Sequence, residues 1–308
     1  MKQYLDLCRN VLENGVLKEP ARPGMPRTLS LNSVMVKYDL SDGFPLLTTK
    51  KMYTKGIFTE LLWLLRGESN ISYLLQHDCK VWVDDTFKYY NKRLKQGIRM
   101  KRLDKSNWIE WCKNNPDSKE GEMGKIYPYQ WRNRKRDQVV WVLNNIKNNP
   151  NSRYHIIEGW NVDDIEDGDL ALPPCHKTMQ FFVRGEYLDM NFYVRSNDLP
   201  LGNPWNVPCY ATILILFSKI TGYKPGILTY FGGDVHIYEN QINAIKYQLE
   251  REPFPLPQLE IDMPDPNDYW IDNNFNFDAF IQQLEPSSFK VLNYMHYSKI
   301  LMPLSVGI

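Results

Sequence analysis

"TMQFFVRGEYLDMNFYVRS", residues 178–196, decides the fold. Two runs rich in aromatic and apolar residues flank "RGEY" (184–187), so they read as two strands joined by a hairpin turn. Outward from this pair, "HIIEGWN" (155–161), "GILTYFGGDVHIY" (226–238) and the alternating "TLSLNSVMVKYDL" (28–40) read as further strands. Helices are expected at 3–14, at "TKGIFTELLWLLRGE" (54–68, ended by Gly67), at 136–154, at "NVPCYATILILFSKITG" (206–222) and at 237–252. Strands and helices interleave without a regular βαβ rhythm, which favours an α+β fold over a doubly wound sheet. The polar, basic and aromatic stretch 84–123 reads as a surface insertion of helical character in a single domain spanning 1–308.

Composition narrows the class. A chain of 308 residues with 43% hydrophobic and 24% charged residues can bury a sizeable core. A net charge of +1 gives no general pull toward nucleic acid or an anionic membrane. The mixed-charge start "MKQYLDLCRNVLENG" lacks the pattern of a secretory signal, and apolar runs such as "ATILILF" are too short to span a bilayer, so a cytoplasmic protein is expected. Five cysteines, an odd number without a CxxC pair, argue against a disulfide framework or a zinc site. The five histidines show no HxxxH or HExxH spacing, and neither GxGxxG nor a P-loop is present; no metal is expected.

Several residues could carry chemistry. Cys175 follows two prolines and precedes His176; it is either a buried strand cysteine or a nucleophile. His176 is an unsuitable base for it, because neighbours on an extended segment point to opposite faces. Arg195 is the better candidate, as a cation that stabilises a thiolate. Arg195 and Ser196 also suit an anion such as phosphate. Asn206, at the start of an apolar run, is either an N-cap or an amide that reads a base edge. Asp198 could order the same turn. Asp234, His236 and Tyr238 alternate along a strand and so share a face. Glu60 sits in an apolar helix, where burial would raise its pKa and suit proton relay. Arg153 follows an Asn/Pro turn and reads as a solvated loop residue unless a partner chain's site lies opposite.

Taken together and in order, "FPLLTTKK" (44–51), "TELLWLLRGESN" (59–70), "LALPPCH" (170–176), "FYVRSNDLPLGNPWNVPCYA" (192–211) and "GGDVHIYEN" (232–240) resemble the thymidylate synthase family, from about Thr28 to the C-terminus. The resemblance implies a large mixed sheet flanked by helices, packed back to back with a second copy in a homodimer. It implies dUMP and 5,10-methylenetetrahydrofolate as substrates and dTMP and dihydrofolate as products. Cys175 would add to C6 of the uracil, Glu60 would manage protons through water, and Asn206 would read the O4/N3 edge. Arg195, Ser196 and a cross-subunit Arg153 would hold the phosphate, with Arg22 as an N-terminal candidate. His236 and Tyr238 would hold the ribose 3′-hydroxyl. Asp198 and Gly202 would line pterin and base, Trp82 and Lys50 the folate, and Tyr127 the reacting carbon. The C-terminal Ile308 would close over the site. Neither DNA nor a membrane is implied as a partner.

The sequence departs from the family pattern in places. Arg153-Tyr154 stands where two arginines are usual, and "ARPGMPRTLS" (21–30) offers Arg22 or Arg27 without a clean match. The second aromatic of a "WDxW" pattern is replaced in Trp82-Val83-Asp84-Asp85, and Val194 stands where Gln is common. These positions leave open a sister reaction, dUMP 5-hydroxymethylation with release of tetrahydrofolate. A non-catalytic nucleotide- or RNA-binding protein is a third reading, opposed by the intact Cys175, Glu60, Asn206 and Arg195.

Overall fold

The computed structural model describes residues 1–20 and 23–303. Arg22 and Ile308 lie outside them. The chain folds as an α+β domain around one six-stranded sheet, ordered β1-β2-β6-β5-β4-β3. The strands are β1 (Val16–Lys18), β2 (Thr28–Asp39), β3 (Ile156–Glu158), β4 (His176–Arg184), β5 (Tyr187–Asp198) and β6 (Lys224–Tyr238). The helices, in chain order, are α1 (Lys2–Asn14), α2 (Thr54–Arg66), α3 (Ser72–Gln76), α4 (Val83–Lys95), α5 (Lys105–Asn114), α6 (Tyr127–Arg132), α7 (Gln138–Asn148), α8 (Val162–Glu166), α9 (Asn203–Thr221), α10 (Ile242–Leu249) and α11 (Phe277–Ile281).

The hairpin at 184–187 forms as expected: β4 and β5 pair antiparallel from Arg184↔Tyr187 to His176↔Val194. Gly185 takes φ 61°, the left-handed backbone that the tight turn requires. The sheet is mixed because β5 and β6 run parallel, joined by the crossover helix α9. A single βαβ unit therefore sits inside an otherwise antiparallel sheet. The reason is visible in α9, which is apolar all round and buried along nearly its whole length. Such a helix cannot lie at a surface and instead fills the core against one sheet face. There Phe192 stacks on Tyr210 at 4.3 Å and Phe181 on Phe217 at 5.1 Å.

Alternation along β5 buries Leu188, Met190, Phe192 and Val194 and turns Tyr187 and Tyr193 outward. On that outer face, register aligns Thr178, Tyr193, Phe231 and Met35 in one row across four strands. Met35 is 57% exposed and Phe182, on the same face, 59%. The segment 84–123 forms α4, α5 and connecting turns; it buries Tyr90, Trp108 and Cys112 in the same core as the rest of the chain. Tyr90 Oη ties it internally, donating to the Lys101 carbonyl at 2.6 Å and accepting from the Leu103 amide at 2.8 Å. Among the described residues, no helix is long and apolar enough to cross a membrane.

Candidate active site

Parallel pairing places the ends of β5 and β6 side by side, with Ser196 opposite Asp234 and Asp198 opposite His236. The segment entering β4 lies on the other flank of β5. The first turn of α9 returns over the strand ends, and α2 passes close by. A cavity of about 500 Å³ opens where these meet; its lining includes Glu60, Trp82, Tyr127, Cys175, Ser196, Asp198, Gly202 and Asn206. Eight of the residues singled out in the sequence thus converge from five separate segments.

Cys175 is half-buried at the cavity wall. Its amide donates to Tyr127 Oη at 2.6 Å, and its carbonyl accepts from the Arg195 amide at 2.8 Å. Arg195 donates from Nε to the Pro174 carbonyl (2.8 Å) and from Nη2 to the Pro173 carbonyl (3.0 Å). The Pro-Pro pair thereby anchors the guanidinium, whose Nη2 lies 3.8 Å from Cys175 Sγ. A cation so placed favours the thiolate. Burial lifts the Tyr127 hydroxyl well above its usual pKa, so it stays a neutral phenol.

His176, the first residue of β4, lines the cavity together with Cys175. Its ring packs between Tyr127 (5.1 Å) and Tyr210 (5.2 Å). Burial pushes its pKa down to about 4, so the imidazole is neutral near pH 7.

Glu60 is buried in the middle of α2, which Gly67 terminates in a left-handed conformation (φ 76°). One carboxylate oxygen accepts from Trp82 Nε1 at 2.5 Å; the other accepts from Trp205 Nε1. Burial raises its pKa, and the two indole donors oppose that rise. A buried carboxylate whose pKa is raised in this way suits proton exchange with bound water. Trp205 escaped notice in the sequence; only its place between Pro204 and Asn206 marked it.

Asn206 is not an N-cap. Gly202 holds that position, and Asn206 lies four residues on, inside the first turn of α9, with its amide bonded to the Gly202 carbonyl at 2.8 Å. Its side chain is free of the capping role and reaches the cavity. Asp198 does order the turn: Oδ1 accepts from the Leu201 amide at 3.1 Å. Its Oδ2 accepts from Gln241 Nε2 at 3.2 Å, and burial raises its pKa. Gln241, fully buried and unremarked in the sequence, also donates to the Pro303 carbonyl of the C-terminal segment at 3.1 Å.

Asp234, His236 and Tyr238 share a face as expected. His236 Nδ1 lies 3.1 Å from Asp234 Oδ1, and the His236 and Tyr238 rings meet edge to face at 5.1 Å. His236 and Lys18, whose Nζ lies 2.5 Å from Asp234 Oδ2, hold that carboxyl well below the usual range.

Three other expected residues stand apart from the cavity lining. Lys50 is buried, donates to the Pro200 carbonyl at 2.7 Å and lies 3.8 Å from Met302 Sδ; burial lowers its pKa to about 8. Arg153 is exposed on the loop before β3. Arg27, the alternative to Arg22, is held by Glu239 through two bonds of 2.8 and 3.0 Å.

The family model for thymidylate synthase matches residues 2–306. The five sequence motifs, the mixed sheet and the convergence of Cys175, Glu60 and Asn206 on one cavity agree with that match, and the chain belongs to the thymidylate synthase family.

Proposed function

We propose that this protein is a thymidylate synthase, converting dUMP to dTMP. The observation that carries the reading is the position of Cys175 Sγ beside Arg195 Nη2, in the same cavity as Glu60 and Asn206. A thiolate there adds to C6 of a uracil ring, forming a C–S bond and moving the C5=C6 electron pair toward C5 and O4. The Asn206 amide meets the developing charge at O4, and Glu60 exchanges protons with it through water. His236 and Tyr238 hold the ribose; Arg195, Ser196 and Arg153 hold the phosphate.

The cavity also suits a flat heteroaromatic co-substrate. Trp82, Trp205, Val81, Leu172 and Leu201 give it apolar walls, and Asp198 adds a polar group for a pterin. Bound 5,10-methylenetetrahydrofolate supplies the one-carbon unit and the hydride. Trp82, Asp198 and Gly202 would orient it, Lys50 would support the wall at its tail end, and the segment through Met302 to Ile308 would shut out water.

The outer sheet face supports a homodimer. Its exposed apolar residues Met35, Tyr193 and Phe182 would otherwise face water. A second copy packed on it would bring Arg153 to the neighbouring site. A cytoplasmic location suits such a reaction.

The test is product analysis after incubation with dUMP and 5,10-methylenetetrahydrofolate. Equal amounts of dTMP and dihydrofolate are expected. 5-Hydroxymethyl-dUMP with tetrahydrofolate would make the protein a hydroxymethylase, and no nucleotide product would overturn the enzymatic reading.

A further inference from the structure

Asn206 does not stand alone in the cavity. Beside it lies Asn197 on β5, 1% exposed, whose Nδ2 donates to Asn206 Oδ1 at 3.2 Å. That donor can meet only the oxygen of the Asn206 amide, so it fixes which end of the amide is which. The Asn206 Nδ2 hydrogens are then left to face a ligand.

We propose that Asn197 is the specificity-determining residue of this site: by donating to Asn206 Oδ1 it fixes the amide with its N–H groups toward the ligand, selecting a pyrimidine with a carbonyl at C4 over one with an amino group. This rests on the reading of the cavity as a pyrimidine nucleotide site. A C4 carbonyl oxygen accepts from the presented N–H. A C4 amino group meets it donor to donor, leaving both unpaired in a dry pocket. Asn197 borders the cavity, and in this role it acts through Asn206 as a positioning residue.

The test compares binding of dUMP and dCMP to the full-length wild type, Asn197→Ala and Asn197→Asp, by calorimetry, with melting curves to establish folding. The wild type should prefer dUMP. Alanine removes the donor, and an ionised aspartate reverses its sense by attracting Asn206 Nδ2 away from the ligand. The dUMP:dCMP affinity ratio should fall about tenfold or more in each folded variant. In Asn197→Asp it should recover on acidification, as the protonated carboxyl regains a donor, whereas Asn197→Ala at the same pH should not follow. A merely structural role would weaken both nucleotides alike and leave the ratio in place; a ratio unchanged in either folded variant overturns the proposal. Failure of the wild type to bind either nucleotide would instead strike the underlying functional reading.

Discussion

Arg195 and Cys175 are joined twice: the Arg195 amide donates to the Cys175 carbonyl at 2.8 Å, and the guanidinium Nη2 lies 3.8 Å from the sulfur. The first contact is a strand pairing that continues β5 past the start of β4. The second turns the same residue into a local cation for the thiol. Strand register thus places the charge, and the two proline carbonyls keep it there.

Arg195→Ala should therefore slow alkylation of Cys175 by iodoacetamide at neutral pH by about tenfold, because the reactive thiolate loses its stabilising cation. Peptide mapping after timed quenching measures this directly. An unchanged rate would show that the guanidinium does not influence the thiol.

Glu60 gives a second expectation. Trp82 and Trp205 both oppose the effect of burial on its carboxyl. Trp205→Phe removes one donor, so the carboxyl pKa should climb further. If the ionised form is needed in turnover, the acid limb of kcat should move to higher pH. A shift to lower pH, or none, would contradict this role for the indole.

Lys50 offers a stability measurement. Its pKa is lowered from 10.5 to about 8 by burial. Between those values the unfolded chain holds a proton that the folded chain has released, so stability should rise with pH across that window and by about 3 kcal/mol at most. Lys50→Met removes the titrating group. Its stability relative to wild type should be greatest near pH 7 and shrink from pH 8 toward 10.5, as read by urea denaturation. A difference independent of pH would place Lys50 in water.

Gln241 bridges Asp198 and Pro303. Gln241→Ala should speed proteolysis of the C-terminal segment and lower the melting temperature by a few degrees, the effect of about 1–3 kcal/mol from an unpaired buried carboxyl oxygen. If that segment keeps water from the reacting carbon, a larger share of hydroxymethylated product should follow.

The proposed dimer can be tested in solution. Tyr193→Asp places a charge in the exposed row of the outer sheet face, and ultracentrifugation should show monomers where the wild type sediments as a dimer. Mixing Arg153→Ala with Cys175→Ser subunits should restore activity neither has alone, because one mixed site then holds Cys175 from one copy and Arg153 from the other. No restoration would remove Arg153 from its partner's site.

Much of the fold was legible in the sequence because the signals are local. The alternation around "RGEY" gave β4 and β5, and Gly67 marked the end of α2. The parallel pairing of β5 and β6 was not legible. It depends on how an all-apolar helix is buried, which periodicity does not encode. The site divides in the same way. Cys175, Glu60 and Asn206 could be singled out by their chemistry, each with a structural alternative, and their roles followed only from the family resemblance. Trp205, Asn197 and Gln241 could not, since an indole or amide becomes informative only once its partner is known. Asn206 was ambiguous between cap and ligand until the helix start was located four residues earlier.

In the proposed reaction Cys175 adds to C6 of dUMP, and a trapped adduct would carry that bond. A 5-fluoro-dUMP ring can accept the thiol and the one-carbon unit, but its fluorine cannot leave as a proton does. Intact-mass spectrometry with 5,10-methylenetetrahydrofolate present should show one adduct of nucleotide plus folate per subunit, mapped to the peptide containing Cys175 and absent from Cys175→Ser. No adduct, or one on another residue, would contradict the account.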